Sequence, residues 1–192
     1  MLSHRSRLVP LALITLLAFP QPLALAETRL ADEAVVGSSE QQSNASDGFD
    51  RSMTGKWTGG GKVLERIADK RPLTVKCEFL MNSGGDAIGM NGHCGVLFVR
   101  RTIELTLERE GAAVTGTYDA KLRTGEATLS GDYDPGTLEL DVKWGGEVNG
   151  DTEAVMRIER TDSDTMRIVV TDYDPATGDD VITSDLTLTR EG

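Results

Sequence analysis

Histidine is almost missing from this sequence. There are two, His4 and His93, and His4 falls within an N-terminal leader. A Ser-His-Asp or Cys-His arrangement would therefore have to be built on His93, next to Cys94, which is expected to be oxidised and inert. No G-x-S-x-G elbow, no phosphate-binding G-x-x-x-x-G-K-[ST] loop and no H-E-x-x-H motif occurs. Gly59-Gly60-Gly61 reads as part of a strand with no helix after it, so it is not a phosphate cradle. The 31 acidic residues always leave a carboxylate pair for glycoside chemistry. Acids on the solvent face of strands do not suggest one in a concave site. The expectation is a chain with no catalytic centre and no cofactor, in which His93 is dispensable.

Cysteine is also scarce. Cys77 and Cys94 stand 17 residues apart, with no C-x-x-C pair and too few partners for a metal site. In an oxidising compartment they read as one disulfide. Long apolar runs are absent except for Leu8–Phe19, whose 12 residues are too short to cross ~30 Å of hydrocarbon. Arg5 and Arg7 precede that run, no acid interrupts it, and Ala24-Leu25-Ala26 follows. Residues 1–26 thus read as a secretory signal peptide cleaved before Glu27. No cysteine follows to take a lipid anchor, so a periplasmic or secreted chain is expected. Basic residues are outnumbered 20 to 31, giving a formal net charge of −11. Such a surface repels phosphate backbones and anionic lipid, which argues against nucleic-acid partners and membrane insertion.

What is present falls into two parts. Residues 27–52 are polar and without period, and Gly37–Asn44 has linker composition, so this stretch is expected to be a disordered linker or arm. Asn44-Ala45-Ser46 fits the glycosylation pattern, a short one that arises by chance. Residues 53–192 alternate apolar and polar side chains in short segments between turn residues, with no helical period. Leu73, Val75, Cys77, Phe79 and Met81 share one face. Val96 and Phe98 follow the phase of Cys94, and Ile182, Ser184, Leu186, Leu188 and Arg190 close the series. Asn149-Gly150 predicts a type I′ hairpin turn. Glycines inside strands (Gly59, Gly61, Gly116, Gly131) suit the sharp bends of a small barrel. The fold expected is all-β: a single antiparallel up-and-down β-barrel of 8–10 strands, with a two-sheet sandwich as the alternative.

Gly55-Lys56-Trp57 at the first strand and Arg190 at the last resemble the structural signature of lipocalin-like (calycin) barrels. That resemblance implies that Trp57 packs across a closed end beneath the Arg190 side chain. The G-x-W-x-G-x-G opening, the two cysteines and the Leu188-Thr189-Arg190 ending also resemble small exported alphaproteobacterial proteins of unknown function. A barrel mouth of this kind can hold a small apolar ligand. Candidate lining residues are Phe79, Phe98, Tyr118, Trp144 and Met156, which read more readily as plain core. Asp172, Asp174, Asp179 and Asp180 surround a Pro-x-x-Gly turn. They lack the calcium-loop spacing and read as hairpin chemistry rather than a metal site. Two functions remain. One is a non-catalytic periplasmic barrel that binds an apolar ligand or serves as a scaffold. The other is a protein-interaction module that uses the 27–52 arm, as in the disulfide-bearing barrels that inhibit bacterial metalloproteases.

Overall fold

The structure is a computed structural model that describes residues 51–192. The expected signal peptide, the glycosylation pattern and nearly all of the expected 27–52 arm lie outside the described residues. Ten strands follow a 3-10 turn at Arg51–Met53: β1 (Gly55–Val63), β2 (Leu73–Gly84), β3 (Ala87–Val96), β4 (Val99–Glu110), β5 (Ala113–Asp119), β6 (Ala127–Asp134), β7 (Thr137–Val148), β8 (Asp151–Arg160), β9 (Thr165–Asp174) and β10 (Asp179–Arg190). Each pairs antiparallel with its neighbours in sequence, and β1 closes the barrel against β10, with Trp57 opposite Arg190. Closure removes the exposed edges that a sandwich would have kept. Ten strands make a wider cylinder than the eight of lipocalins.

The period-2 alternation sets which way each side chain points. On β2, Val75, Cys77, Phe79 and Met81 are buried, while Thr74, Lys76 and Glu78 are exposed. On β4, Ile103, Leu105 and Leu107 point inward, and Glu104, Thr106 and Glu108 point out. An apolar interior behind a polar outer wall is the reverse of a transmembrane barrel. Among the described residues no helix is long and apolar enough to cross a membrane.

Hairpin chemistry accounts for the connections. Asn149 and Gly150 take φ 56° and 95°, both positive as a type I′ turn requires. The glycines of β1 permit tight closure: a Cβ on Gly59 would lie 2.1 Å from the Thr187 carbonyl oxygen, and one on Gly61 would lie 1.9 Å from that of Asp185. Gly116 and Gly131 face neighbouring-strand carbonyls in the same way.

One expected strand and one expected loop are redrawn. The segment Cys94–Arg100 is not one strand, because the chain turns at Leu97-Phe98 and Val96 pairs with Val99. The glycine-rich Ala87–His93 stretch, which looks like loop, is the first part of β3. On β10 the pairing shifts between Ile182 and Ser184. The bulge turns Thr183 inward and leaves Ile182 exposed, contrary to strict alternation.

Candidate functional site

Antiparallel order places the turns after β1, β3, β5, β7 and β9 at one end of the barrel and the chain's entry and exit at the other. The entry end is closed. Trp57 is wholly buried, and its indole N–H donates to the Met53 carbonyl at 2.9 Å. The Arg190 guanidinium lies 5.1 Å from the Trp57 ring centroid and donates to the backbone carbonyls of Ser52 and Ser163. Asp164 stands 3.7 Å from Arg190 Nε. A cation–π contact of this kind contributes about 1–2 kcal/mol when partly desolvated. Gly55 leaves only ordinary contact space beside the Arg190 stem, 3.4 Å from where a Cβ would stand. The three residues singled out in the sequence therefore meet as a plug.

The other end holds a cavity of about 610 Å³. This lies inside the ~300–1,000 Å³ range of small-molecule sites. Phe79 and Met156 line its inner wall and are almost fully buried. Tyr118 and Trp144 line it higher up, with ring centroids 6.1 Å apart in an edge contact. Phe98 is a correction: it is 99% exposed, on the β3–β4 turn at the cavity's rim, rather than on an inward strand face. Its neighbours Leu97 and Val99 are also exposed, and Leu97 takes φ 52°, rare for a bulky residue. Apolar residues at this tip imitate the alternation of a strand, which is why the sequence placed Phe98 inside. The β1–β2 loop reaches across the mouth, where the Ile67 N–H donates to Asn149 Oδ1 at 3.2 Å.

Cys77 and Cys94 are directly paired across β2 and β3, both buried, and joined by a disulfide with S–S 2.01 Å. Cys94 is part of the cavity wall. A disulfide fits an oxidising compartment. His93, one residue earlier, is on the outward face of β3, in register with Glu78 and Thr102, and takes no part in the cavity.

One functional feature was missed in the sequence. Asp172 is 4% exposed and points into the cavity, where Thr183 donates a hydrogen bond to its Oδ2. Its other oxygen, Oδ1, is buried without a hydrogen-bond partner, and so is the indole nitrogen of Trp144. Between them on β8 stands the small Ala154, register partner of both Val142 and Asp172. Burial pushes the Asp172 carboxyl above the ordinary aspartate value. Hydrogen bonding from Thr183 and the nearby Trp144 N–H pull it back, and the charge of Asp151 raises it further. The indole N–H and the carboxylate thus act on one another, and both polar atoms are shut away from solvent. Desolvation pushes the Tyr118 phenol up to about 12, against a smaller lowering by Arg101. Alternation did contain the signal for Asp172: it continues the inward series Met166, Ile168, Val170.

The remaining acids of that turn behave as hairpin chemistry. Asp174 Oδ1 accepts from the Ala176 N–H at 2.9 Å and Oδ2 from Thr177 at 3.2 Å, while Asp179 and Asp180 are exposed. Among the described residues no three His, Cys, Asp or Glu side chains gather as a metal site would need. A larger hollow of about 720 Å³ lies on the outer face of β6–β9, among Ser130, Lys143, Glu153 and Tyr173. Its polar side chains face solvent, so it lacks the enclosure of the barrel interior. Compared with known protein families and curated protein sequences, the chain matches no family model and no curated relative.

Proposed function

We propose that the chain is an exported, non-catalytic, calycin-like barrel that carries a small apolar molecule in the periplasm or outside the cell. One observation supports this reading above others: an apolar cavity of about 610 Å³ opens at the end opposite the Trp57–Arg190 plug. A cylinder closed at one end and hollow at the other encloses a ligand without letting it pass through. The direct experiment is native mass spectrometry of protein purified from its own compartment. A retained apolar compound, or saturable binding of a neutral fluorescent dye by stripped protein, is expected. Protein that carries nothing and binds no apolar dye overturns the reading.

A second reading, a protein-interaction module, is favoured by the exposed apolar tip Leu97–Phe98–Val99. Replacing Leu97 and Phe98 with serine would abolish capture of a partner in that case. In a pure ligand carrier it would leave capture unaffected and alter only dye entry.

A further inference from the structure

The rim of the open end is divided by charge. The β1–β2, β3–β4 and β5–β6 connections with their flanks, residues 64–72, 97–101 and 119–126, carry seven basic side chains and four acidic ones. The β7–β8 and β9–β10 connections, residues 147–151 and 174–180, carry five acids and no base. In a chain with 31 acids to 20 bases, a basic side to this rim is a local reversal. Arg66, Arg101 and Lys121 are paired with acids of their own side. Arg71, Arg100 and Arg123 are exposed and have no ion pair among the described residues, and the same holds for Glu147, Asp179 and Asp180 opposite. The β3–β4 turn is the middle one of the three basic connections. There Leu97, Phe98 and Val99 are exposed, and Leu97 takes φ 52°, where a two-residue hairpin favours Asn or Gly. The apolar side chains are thus held at the tip against the preference of the turn itself. In a closed ring of ten strands, this turn lies half-way round from the midpoint between the β7–β8 and β9–β10 turns.

We propose that this rim is a self-complementary interface, and that two copies of the chain dock mouth to mouth about a two-fold axis lying across the mouth. The inference goes beyond the carrier reading and does not rest on it. A two-fold axis in that plane sets the basic side of each copy over the acidic side of the other, so both charge contacts form at once. It also brings Leu97 and Phe98 of each copy onto the turns of the second, where Pro175 and Ala176 are exposed, and takes them out of water. The net negative charge of each copy opposes association, but charges more than about 8 Å from the contact are screened at physiological salt. Other occupants fit less well. An anionic bilayer meets five acids on the same rim. An acidic peptide answers the basic side and leaves the acidic side without a partner. Only a second copy matches both sides and the tip together.

The test is sedimentation equilibrium of the full chain, disulfide intact, over a concentration series. A reversible monomer–dimer equilibrium is expected. One variant, Arg71→Glu with Arg100→Glu and Arg123→Glu, makes both sides of the rim acidic. A second, Glu147→Lys with Asp179→Lys and Asp180→Lys, makes both sides basic. Each by itself should dimerise more weakly by on the order of a hundredfold, because like charges then meet at both contacts. An equimolar mixture of the two should form a heterodimer at least as tightly as the unaltered chain pairs with itself, since both contacts are again opposite in sign. A variant that merely misfolds is not rescued in this way. Leu97→Ser with Phe98→Ser should weaken the dimer by on the order of tenfold. A parent that stays monomeric throughout, or a mixture of the two charge variants that does, overturns the proposal. A dimer that both charge variants keep lies on another face and overturns it too. Flotation of a monomeric parent with phosphatidylglycerol–phosphatidylcholine vesicles, lost with Leu97→Ser and Phe98→Ser, assigns the tip to lipid and overturns the second copy. Bound apolar ligand is read separately by native mass spectrometry, so an empty cavity counts against the carrier reading and not against the dimer.

Discussion

Trp57 and Trp144 stand at opposite ends of one barrel. Both are buried on an inward strand face, and both carry an indole donor into low dielectric. Trp57 gives its N–H to the Met53 carbonyl and lies beneath Arg190, whose own donors reach two further carbonyls. Trp144 has no backbone partner; its N–H acts instead on the Asp172 carboxylate that shares its cavity. At the closed end, then, polar groups are answered mostly by nearby backbone, with Arg190 Nε left to Asp164 at 3.7 Å. At the open end an indole and a carboxylate are shut away from water with only each other and Thr183. Local departures from good packing chemistry concentrate where a fold does its work.

The sharpest way to break this comparison is to mutate both tryptophans. Trp57→Ala should cost about 3–5 kcal/mol through the cavity it leaves. Trp144→Phe should cost less than about 1.5 kcal/mol, because most of the ring volume is kept. Urea denaturation of both variants measures the contrast. Equal losses would make the open end as much a core as the closed one.

Disulfide reduction comes next in size. Cys77–Cys94 ties β2 to β3 beside the cavity, 17 residues apart. Loop-closure entropy sets the loss on replacing both cysteines with alanine at about 3 kcal/mol. Hydrogen exchange should then rise in β2 and β3 toward the Leu97 turn and stay low around Trp57. Uniform loosening of both ends would show that the bridge does not act locally.

A smaller effect tests how β1 closes the barrel. Gly61→Ala forces a Cβ against the Asp185 carbonyl and should cost about 1–3 kcal/mol by overpacking. Gly89→Ala on β3 has open space around the new methyl and should change stability by less than about 0.5 kcal/mol. Thermal melts of the two variants decide it; similar melting temperatures would mean that the close approach at β1 relaxes without cost.

The two ends also differed in how legible they were in the sequence. Trp57 and Arg190 could be read from the resemblance of the two chain ends to a barrel-closing signature, with Arg190 in the phase of Leu186 and Leu188, and the cysteine pair from its count and the expected compartment. The open end obscured the strand alternation in three places. Gly89 and Gly92 broke the alternation of β3, so a strand looked like a loop. Leu97, Phe98 and Val99 supplied an apolar run where the chain turns, so a turn looked like a strand. The bulge at Ile182 to Ser184 reversed the phase of β10 and brought in Thr183, which no periodic argument would place inside. Asp172 was in phase throughout, but its charge and a neighbouring Asp-Pro turn drew it into a surface reading. Burial of a charged side chain is rare enough that composition argues against it.

The finest test concerns that carboxylate. Burial raises the Asp172 pKa in the folded barrel above its unfolded value. The folded state therefore binds this proton more tightly than the unfolded chain does. Below the unfolded pKa, about 3.9, the group is neutral in both states and costs nothing. As pH rises from there through the folded value, the unfolded chain ionises first, and stability falls. Asp172→Asn keeps the shape and an acceptor for Thr183 but cannot ionise. Its melting temperature should match that of the unaltered protein near pH 4 and exceed it by a margin that grows toward neutral pH, then levels off. A constant offset between Asp172→Asn and the parent across the whole pH range would mean that the carboxyl carries no charging penalty in the fold, and the contrast between a backbone-tied closed end and an open end that holds a buried carboxylate would lose its electrostatic half.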